Sequence, residues 1–341
     1  MARWDLYLAA STDMSMICPL YDASNMSLDL ALNRPGRLSF NYPLNEFSLN
    51  FSSIGRCVVL VYNGQIYWSG PILSFNRNLP GETINVVAVG WQELLYHREL
   101  RTKTTYTTQF RGAIIHDLLN IANLQHDTWM NVGTTTDDAP AISKTFEQGS
   151  NIGQGIEEMT SIEAGPDITV DPATRDLNIK AWDEYVDRTG VVWSYGWGPA
   201  NLESFSENVD GASIINRLNV YGKNSDTTGY LTEDAVSQGL YNLFETSVTL
   251  SSVSDTSILA AYGEAELLYK KNPRVTYQFQ PIAGDDQPLV FRDFQLGDKC
   301  YLKAKFQNIV AVDQPVRVFS CNLQIDENSN PKMTNMVTVA S

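Results

Sequence analysis

The sequence predicts a mainly β protein with an α+β insert: two related β-barrel-like domains, a small α/β domain between them and a helix-containing linker. Three observations lead there. Apolar residues alternate along the first hundred or so positions, as in half-buried strands. A run near the N-terminus is echoed near the C-terminus. Between the two, the apolar period shifts from strand-like to helical.

The strand signal begins with Trp4, Leu6 and Leu8, returns at Leu38, Phe40 and Tyr42, and continues through Val58-Val59-Leu60-Val61-Tyr62. Tyr62-Asn63-Gly64-Gln65-Ile66 places Asn-Gly between two apolar runs, which favours a type I′ hairpin because both central residues take positive φ. Asn78-Leu79-Pro80-Gly81 supplies the next turn. Ile114, Ile115, Leu118, Leu119 and Ile121 then form a helical stripe between Phe110 and Asn123. A second helix is expected from Ser150 to Ile162, with Ser150 as N-cap. Asp167-Ile168-Thr169-Val170, a turn at Asp171-Pro172, and Leu177-Asn178-Ile179 read as a hairpin.

Strand character returns from Ile214 to Tyr221, ended by Gly222. Residues 234–252 are ambiguous. Asp255 to Lys270 is the best helix: Ser254 or Asp255 can cap it, Lys270 and Lys271 suit its C-terminal end, and Pro273 stops it. From Arg274 onward the pattern is strand and turn. The expected division is a first barrel over 1–104, completed by the strand near 212–222; an α/β insert over 105–205; returning strand, linker and helix over 206–272; and a second barrel over 273–341.

The repeat pairs Ile54-Gly55-Arg56-Cys57, which opens an apolar strand, with Leu296-Gly297-Asp298-Lys299-Cys300, which opens another. It continues as Gly70-Pro71-Ile72-Leu73-Ser74-Phe75 against Val316-Arg317-Val318-Phe319-Ser320-Cys321. It closes with alternating strands, Ile84 to Val89 and Met333 to Val339. The shared part carries no catalytic residue, so it reads as a building block, and a block doubled within a chain suits a ring.

The 341 residues exceed one ordinary core. Hydrophobic content of 43% and charged content of 18% suit a folded protein rather than a disordered one. A net charge of -15 argues against a groove that grips nucleic acid, though not against DNA passing by without adhering. No apolar run is long enough to span a bilayer. Asp5 and Asp13 interrupt the stretch where a signal peptide would need apolar residues, so assembly in a cytoplasm is expected. Cys18, Cys57, Cys300 and Cys321 form no CxxC pair, and Cys57, Cys300 and Cys321, inside or beside strands, suit buried free thiols.

Candidate chemistry is sparse. Gly149-Ser150-Asn151-Ile152-Gly153-Gln154-Gly155 precedes a helix but matches neither phosphate-loop pattern and has no lysine. His97, His116 and His126 lack metal-ligand spacing, so no metal or cofactor is expected. Glu157, Glu158 and Glu163 could be paired carboxylates for glycoside hydrolysis, but acids early in a helix also complement its dipole. Trp193, Tyr195 and Trp197 alternate along a strand and read as an interface or core stripe, with a glycan-stacking surface as the alternative. No catalytic residue is assigned.

Taken together, Asn33-Arg34-Pro35-Gly36-Arg37-Leu38-Ser39-Phe40, Gly55 to Val61, Gln65-Ile66-Tyr67-Trp68-Ser69-Gly70-Pro71-Ile72, Asn216 to Gly222, Val236 to Tyr241, Asp255 to Leu268 and Leu296-Gly297-Asp298 resemble the tail-hub (baseplate-hub) proteins of long-tailed bacteriophages. The resemblance covers nearly the whole chain, and its motifs are structural. It implies a non-enzymatic virion protein at the tail tip, a homotrimer whose two barrels per chain make a pseudo-sixfold ring. The implied partners are a distal tail or tube ring protein, the tape-measure protein and a tip or fibre protein, with DNA passing through and no membrane insertion. The second barrel ends the chain at Ser341, so the lytic extensions of some hub relatives are not expected.

Overall fold

A computed structural model describes residues 4–45, 48, 56–136, 141–161, 165–181, 186–198, 200–223, 229–250, 256–282, 287–307, 309–326 and 331–339. Its strands and helices run in order as β1 (Trp4–Ala10), β2 (Met16–Pro19), β3 (Ser24–Ala31), β4 (Arg37–Pro43), β5 (Arg56–Tyr62), β6 (Gln65–Asn78) and β7 (Thr83–Val89). A 3-10 turn (Trp91–His97) leads to β8 (Thr104–Gln109), α1 (Arg111–Gln125), β9 (Asn131–Thr135), β10 (Ile142–Phe146), α2 (Ile152–Ser161), β11 (Asp167–Val170) and β12 (Asp176–Lys180). Then come β13 (Asp187–Tyr195), β14 (Leu202–Asp210), β15 (Arg217–Tyr221), β16 (Gly229–Glu233), α3 (Ala235–Tyr241), β17 (Glu245–Thr249) and α4 (Thr256–Lys270). The last strands are β18 (Arg274–Pro281), β19 (Lys299–Phe306), β20 (Ile309–Ile325) and β21 (Pro331–Val339).

The protein is mainly β, as expected. Thirteen strands form one sheet, within which two six-strand paths follow the same order. The first is β3-β4-β7-β6-β5-β1; the second is β14-β18-β21-β20-β19-β13. Both paths visit their strands in the same chain order. One strand departs from the pattern: β1 is antiparallel to β5, whereas β13 is parallel to β19. In both units the long central strand carries a bulge at the same step. Ile72 pairs with Ala88 and Ser74 with Val87, skipping Leu73; Val318 pairs with Val337 and Ser320 with Met336, skipping Phe319. A bulge bends a strand and lets it serve two neighbours in succession.

This register corrects one detail of the repeat. Cys57 pairs with Pro71, one position before Ile72, and Lys299 pairs with Arg317, one position before Val318. Cys57 therefore corresponds to Lys299, and Cys300 to Val58. The two cysteines point to opposite faces of the sheet, Cys300 into the core shared by both units and Cys57 into the core beneath the insert. A one-residue offset inverts every side chain in a strand.

The β5–β6 hairpin turns at Asn63 and Gly64, with φ of 48° and 81°, as type I′ geometry needs. Gly70 is required by close approach: a Cβ there would lie 1.9 Å from the Val89 carbonyl oxygen. Val58, Leu60 and Tyr62 of β5 face the shared core, while Cys57, Val59 and Val61 face the insert, so β5 is buried on both sides and reads as a continuous apolar run.

The insert packs α1 and α2 over the back of β5. Asn151, not Ser150, caps α2, its Oδ1 accepting from the Gln154 amide at 3.0 Å. The expected hairpin is β11–β12. The strand near 212–222 does not complete the first barrel. It is β15, and it pairs with β16 and β17 in a separate three-stranded sheet covered by α4. Conversely β13, placed with the insert by the sequence pattern, and β14, which straddles the expected boundary at 205, hydrogen-bond to β19 and β18 of the second unit. The ambiguous stretch, 234–252, holds α3 and β17. Ser254 and Asp255 fall outside the described residues.

Candidate assembly interface

Trp193 is fully buried, wedged against Phe279 at 4.9 Å and Phe294 at 5.2 Å between ring centroids. It is a core residue. Tyr195, two positions along β13, is half-buried and stacks on Phe205, which stacks in turn on Tyr277, at 6.1 and 5.8 Å. Trp197 lies beyond the strand, with the Lys305 and Lys303 ammonium groups 5.5 and 6.0 Å from its ring. The three aromatics thus form no common platform: the first two hold the second unit together, and the third sits under two cations.

The other candidate groups are separated as well. Glu157 takes Arg34 at 2.9 Å and the Tyr96 hydroxyl at 3.3 Å; burial and that carboxylate push the Tyr96 phenol up to about 12. Glu158 is bound by Lys144. Glu163 lies outside the described residues. Each described carboxylate therefore has its own cation, which suits a structural role.

His116 sits between Thr135, 2.6 Å from Nδ1, and the Leu177 carbonyl, 3.1 Å from Nε2, and burial lowers its pKa. His97 lies 3.9 Å from Glu93, and His126 ends α1. Among the described residues no three His, Cys, Asp or Glu side chains gather as a metal ion would need. In the glycine-rich loop, the amides of Gly149, Ser150, Ile152, Gln154 and Gly155 all donate within the protein, which takes those five donors away from a phosphate.

What the structure does gather is a junction, exposed apolar clusters and, among the described residues, open sheet edges at β14 and β2. Asp167 of β11 is held by Arg317 of β20, and the next amide, Ile168, donates to Asn33 Oδ1 at 2.8 Å. Insert, first unit and second unit meet there. The turn after β11 is latched to the first unit: Ser69 donates to the Pro172 carbonyl at 2.6 Å and accepts from Trp91 Nε1 at 2.9 Å. Exposed apolar residues concentrate at two places. Phe306, Ile309 and Val310 crown the β19–β20 hairpin, and Val236 and Leu240, one helical turn apart, project from α3. Clusters of this kind suit contacts with other chains.

The architecture is closely matched among solved proteins. A tail protein from Neisseria meningitidis superposes with a TM-score of 0.71 at 11% identity, covering 98% of this chain and 96% of that one. The chain has the fold of a phage tail protein. The 43 kDa tail protein of prophage MuSo2 from Shewanella oneidensis shares that fold with a TM-score of 0.69 at 11% identity, over 98% of this chain and 97% of its own. So does prophage tail protein gp18 from Listeria monocytogenes, with a TM-score of 0.64 at 12% identity over 97% and 94%. No family model and no curated protein sequence matches the chain. The tail-protein fold was thus legible through its motifs. The open strand edges carried no sequence signal, because an edge differs from a central strand only in what lies beside it.

Proposed function

We propose that the chain is a structural component of a phage tail, a hub at the tail tip built as a ring of three copies. The observation that carries the reading is the doubled unit: six strands in the same order and the same chain sequence, joined in one sheet. Two such units per chain and three chains present six similar blocks to a sixfold tube ring on one side and threefold symmetry to a tip or fibre protein on the other. The fold shared with tail proteins supports the location, and the hub closes the tube, contacts the tape-measure protein and opens for DNA release. The net charge of -15 suits a channel wall that repels the DNA backbone. The role is architectural rather than catalytic, supported by the separate pairing of Glu157 and Glu158.

A glycan-binding tip module gains no support, since Trp193 is in the core. The test is to label this subunit in intact particles and image them. Label confined to the tail tip is expected; label along the shaft or on the head overturns the proposal.

A further inference from the structure

Among the described residues the two units are joined inside the chain by one strand pairing. β20 outruns β19, and on the side that β19 leaves it takes up β3, from Ser320 opposite Ala31 to Ile325 opposite Met26. The counterpart of β20 is β6, and the counterpart of β3 is β14. Those two have no such partner among the described residues. Residues 74–78 of β6 pair only with β7, and β14 pairs only with β18. Each unit thus offers the half of a junction that the other lacks, and within one chain only one of the two junctions is made.

We propose that residues 74–79 of one copy pair antiparallel with residues 205–210 of a second copy of this chain, repeating the β20–β3 junction between subunits. The register follows from the equivalences. Ile72 matches Val318, Ala88 matches Val337, Leu38 matches Tyr277 and Leu28 matches Glu207, each being the residue opposite the one before it. Leu323 opposite Leu28 then becomes Arg77 opposite Glu207.

The chemistry of the two edges fits that register. On the face equivalent to the core side, Phe75 meets Val209, Arg77 meets Glu207 and Leu79 meets Phe205. Each strand reads apolar, charged, apolar, and the two charges are opposite. On the other face Ser74, Asn76 and Asn78 meet Asp210, Asn208 and Ser206, all polar. A slip of one residue would set Arg77 against a polar face and the apolar side chains against asparagines. The internal junction also has Asn322 bonded to Asp29 at 2.5 Å, and its counterpart is Asn76 beside Asn208. Val209 is 57% exposed in the single chain, a large apolar surface for a strand that ends in water. Pairing covers it and closes two open edges.

The number of copies rests on the ring reading above; the junction itself does not. Both are read in one experiment on the full chain. Asn76→Cys with Asn208→Cys places two thiols directly opposite, within disulfide reach. Oxidation is expected to give covalent dimers and trimers, while Asn76→Cys with Val209→Cys, on opposite faces, gives none. Arg77→Glu or Glu207→Arg alone should raise the concentration needed for assembly by roughly fivefold or more, and the double reversal should restore it. Light scattering reports the copy number. A trimer that neither cross-links at 76 and 208 nor shows rescue overturns the junction and leaves the ring standing. A monomer at every concentration, also with the tube-ring protein present, overturns both.

Discussion

Leu73 and Phe319 occupy the same position in two copies of one design. Each is the residue left without an opposite number where a long strand changes register, one residue after the pair Ile72–Ala88 or Val318–Val337. In the second unit the Phe319 carbonyl accepts from the Leu32 amide at 2.8 Å, so the bulge directs β20 toward β3. The bulge therefore sits where the sheet passes from one unit to the next, and it recurs in β6 where that passage leads out of the chain.

The equivalence makes a stability prediction. Asn335 lies opposite Cys321 as Val86 lies opposite Phe75, so the two correspond. Asn335 is fully buried, and neither atom of its amide has a hydrogen-bond partner among the described residues. An unsatisfied buried amide costs about 1–3 kcal/mol. Asn335→Val is expected to stabilise the protein by about that amount, read as a higher denaturation midpoint at unchanged slope. A loss of stability would contradict the equivalence at this position.

The Asp167–Arg317 pair predicts a pH-dependent defect. Burial raises the Asp167 pKa above its ordinary value, and Arg317 opposes that shift. A carboxyl raised in the folded state contributes stability that is complete below its unfolded pKa and is lost as pH rises through the folded one. Arg317→Met removes the opposing charge and raises the folded value further. The variant should lose roughly 3–5 kcal/mol at pH 7 and less at pH 4, because Asp167 takes up its proton more readily as the pH falls. Urea midpoints at the two pH values measure this; an equal loss at both would exclude the mechanism.

Trp193 and Trp197 should behave oppositely. Trp193→Ala removes a fully buried indole and is expected to cost about 3–5 kcal/mol. Trp197→Ala should leave folding within about 0.5 kcal/mol, since its ring is half exposed beneath two lysines. A glycan array probed with the parent protein should show no signal. Sugar binding lost in Trp197→Ala would revive a receptor-binding role.

Asp234 predicts an acid-sensitive step. It caps α3 by accepting from the Ser237 amide at 2.8 Å and is paired with Lys271 at 3.0 Å. The Ser237 bond, followed by Lys271, lowers its pKa from the ordinary value near 3.8. A depressed carboxyl stabilises the fold above its unfolded pKa, and that contribution disappears as pH falls through the folded one. Hydrogen exchange in α3, corrected for intrinsic rates, should accelerate selectively below about pH 4. Asp234→Ala should already show the faster rate at pH 6, with no further acid step.

The parts legible in the sequence were those with local signals. Asn63-Gly64 fixed a turn through positive φ, and the stripe from Ile114 to Ile121 marked α1 through its period. The repeat found β5, β6 and β7 against β19, β20 and β21, because each trio is contiguous in sequence. The remaining equivalences were hidden. β14 is separated from its partner β18 by the excursion from β15 through α4, and strand pairing over that distance leaves no local trace. The matching cysteines that advertised the repeat proved one residue out of register. The Trp193 stripe kept two readings, packed or ligand-facing, because alternation reports that a face is apolar, not what covers it.

In the proposed ring one design, used twice in each of three chains, makes a pseudo-sixfold hub. End-on electron-microscope images of the purified protein, alone and with its tube-ring neighbour, test it most directly. Rings of six similar lobes with true threefold symmetry are expected, two lobes for each chain. Single chains under every condition, or open filaments that never close, would contradict it.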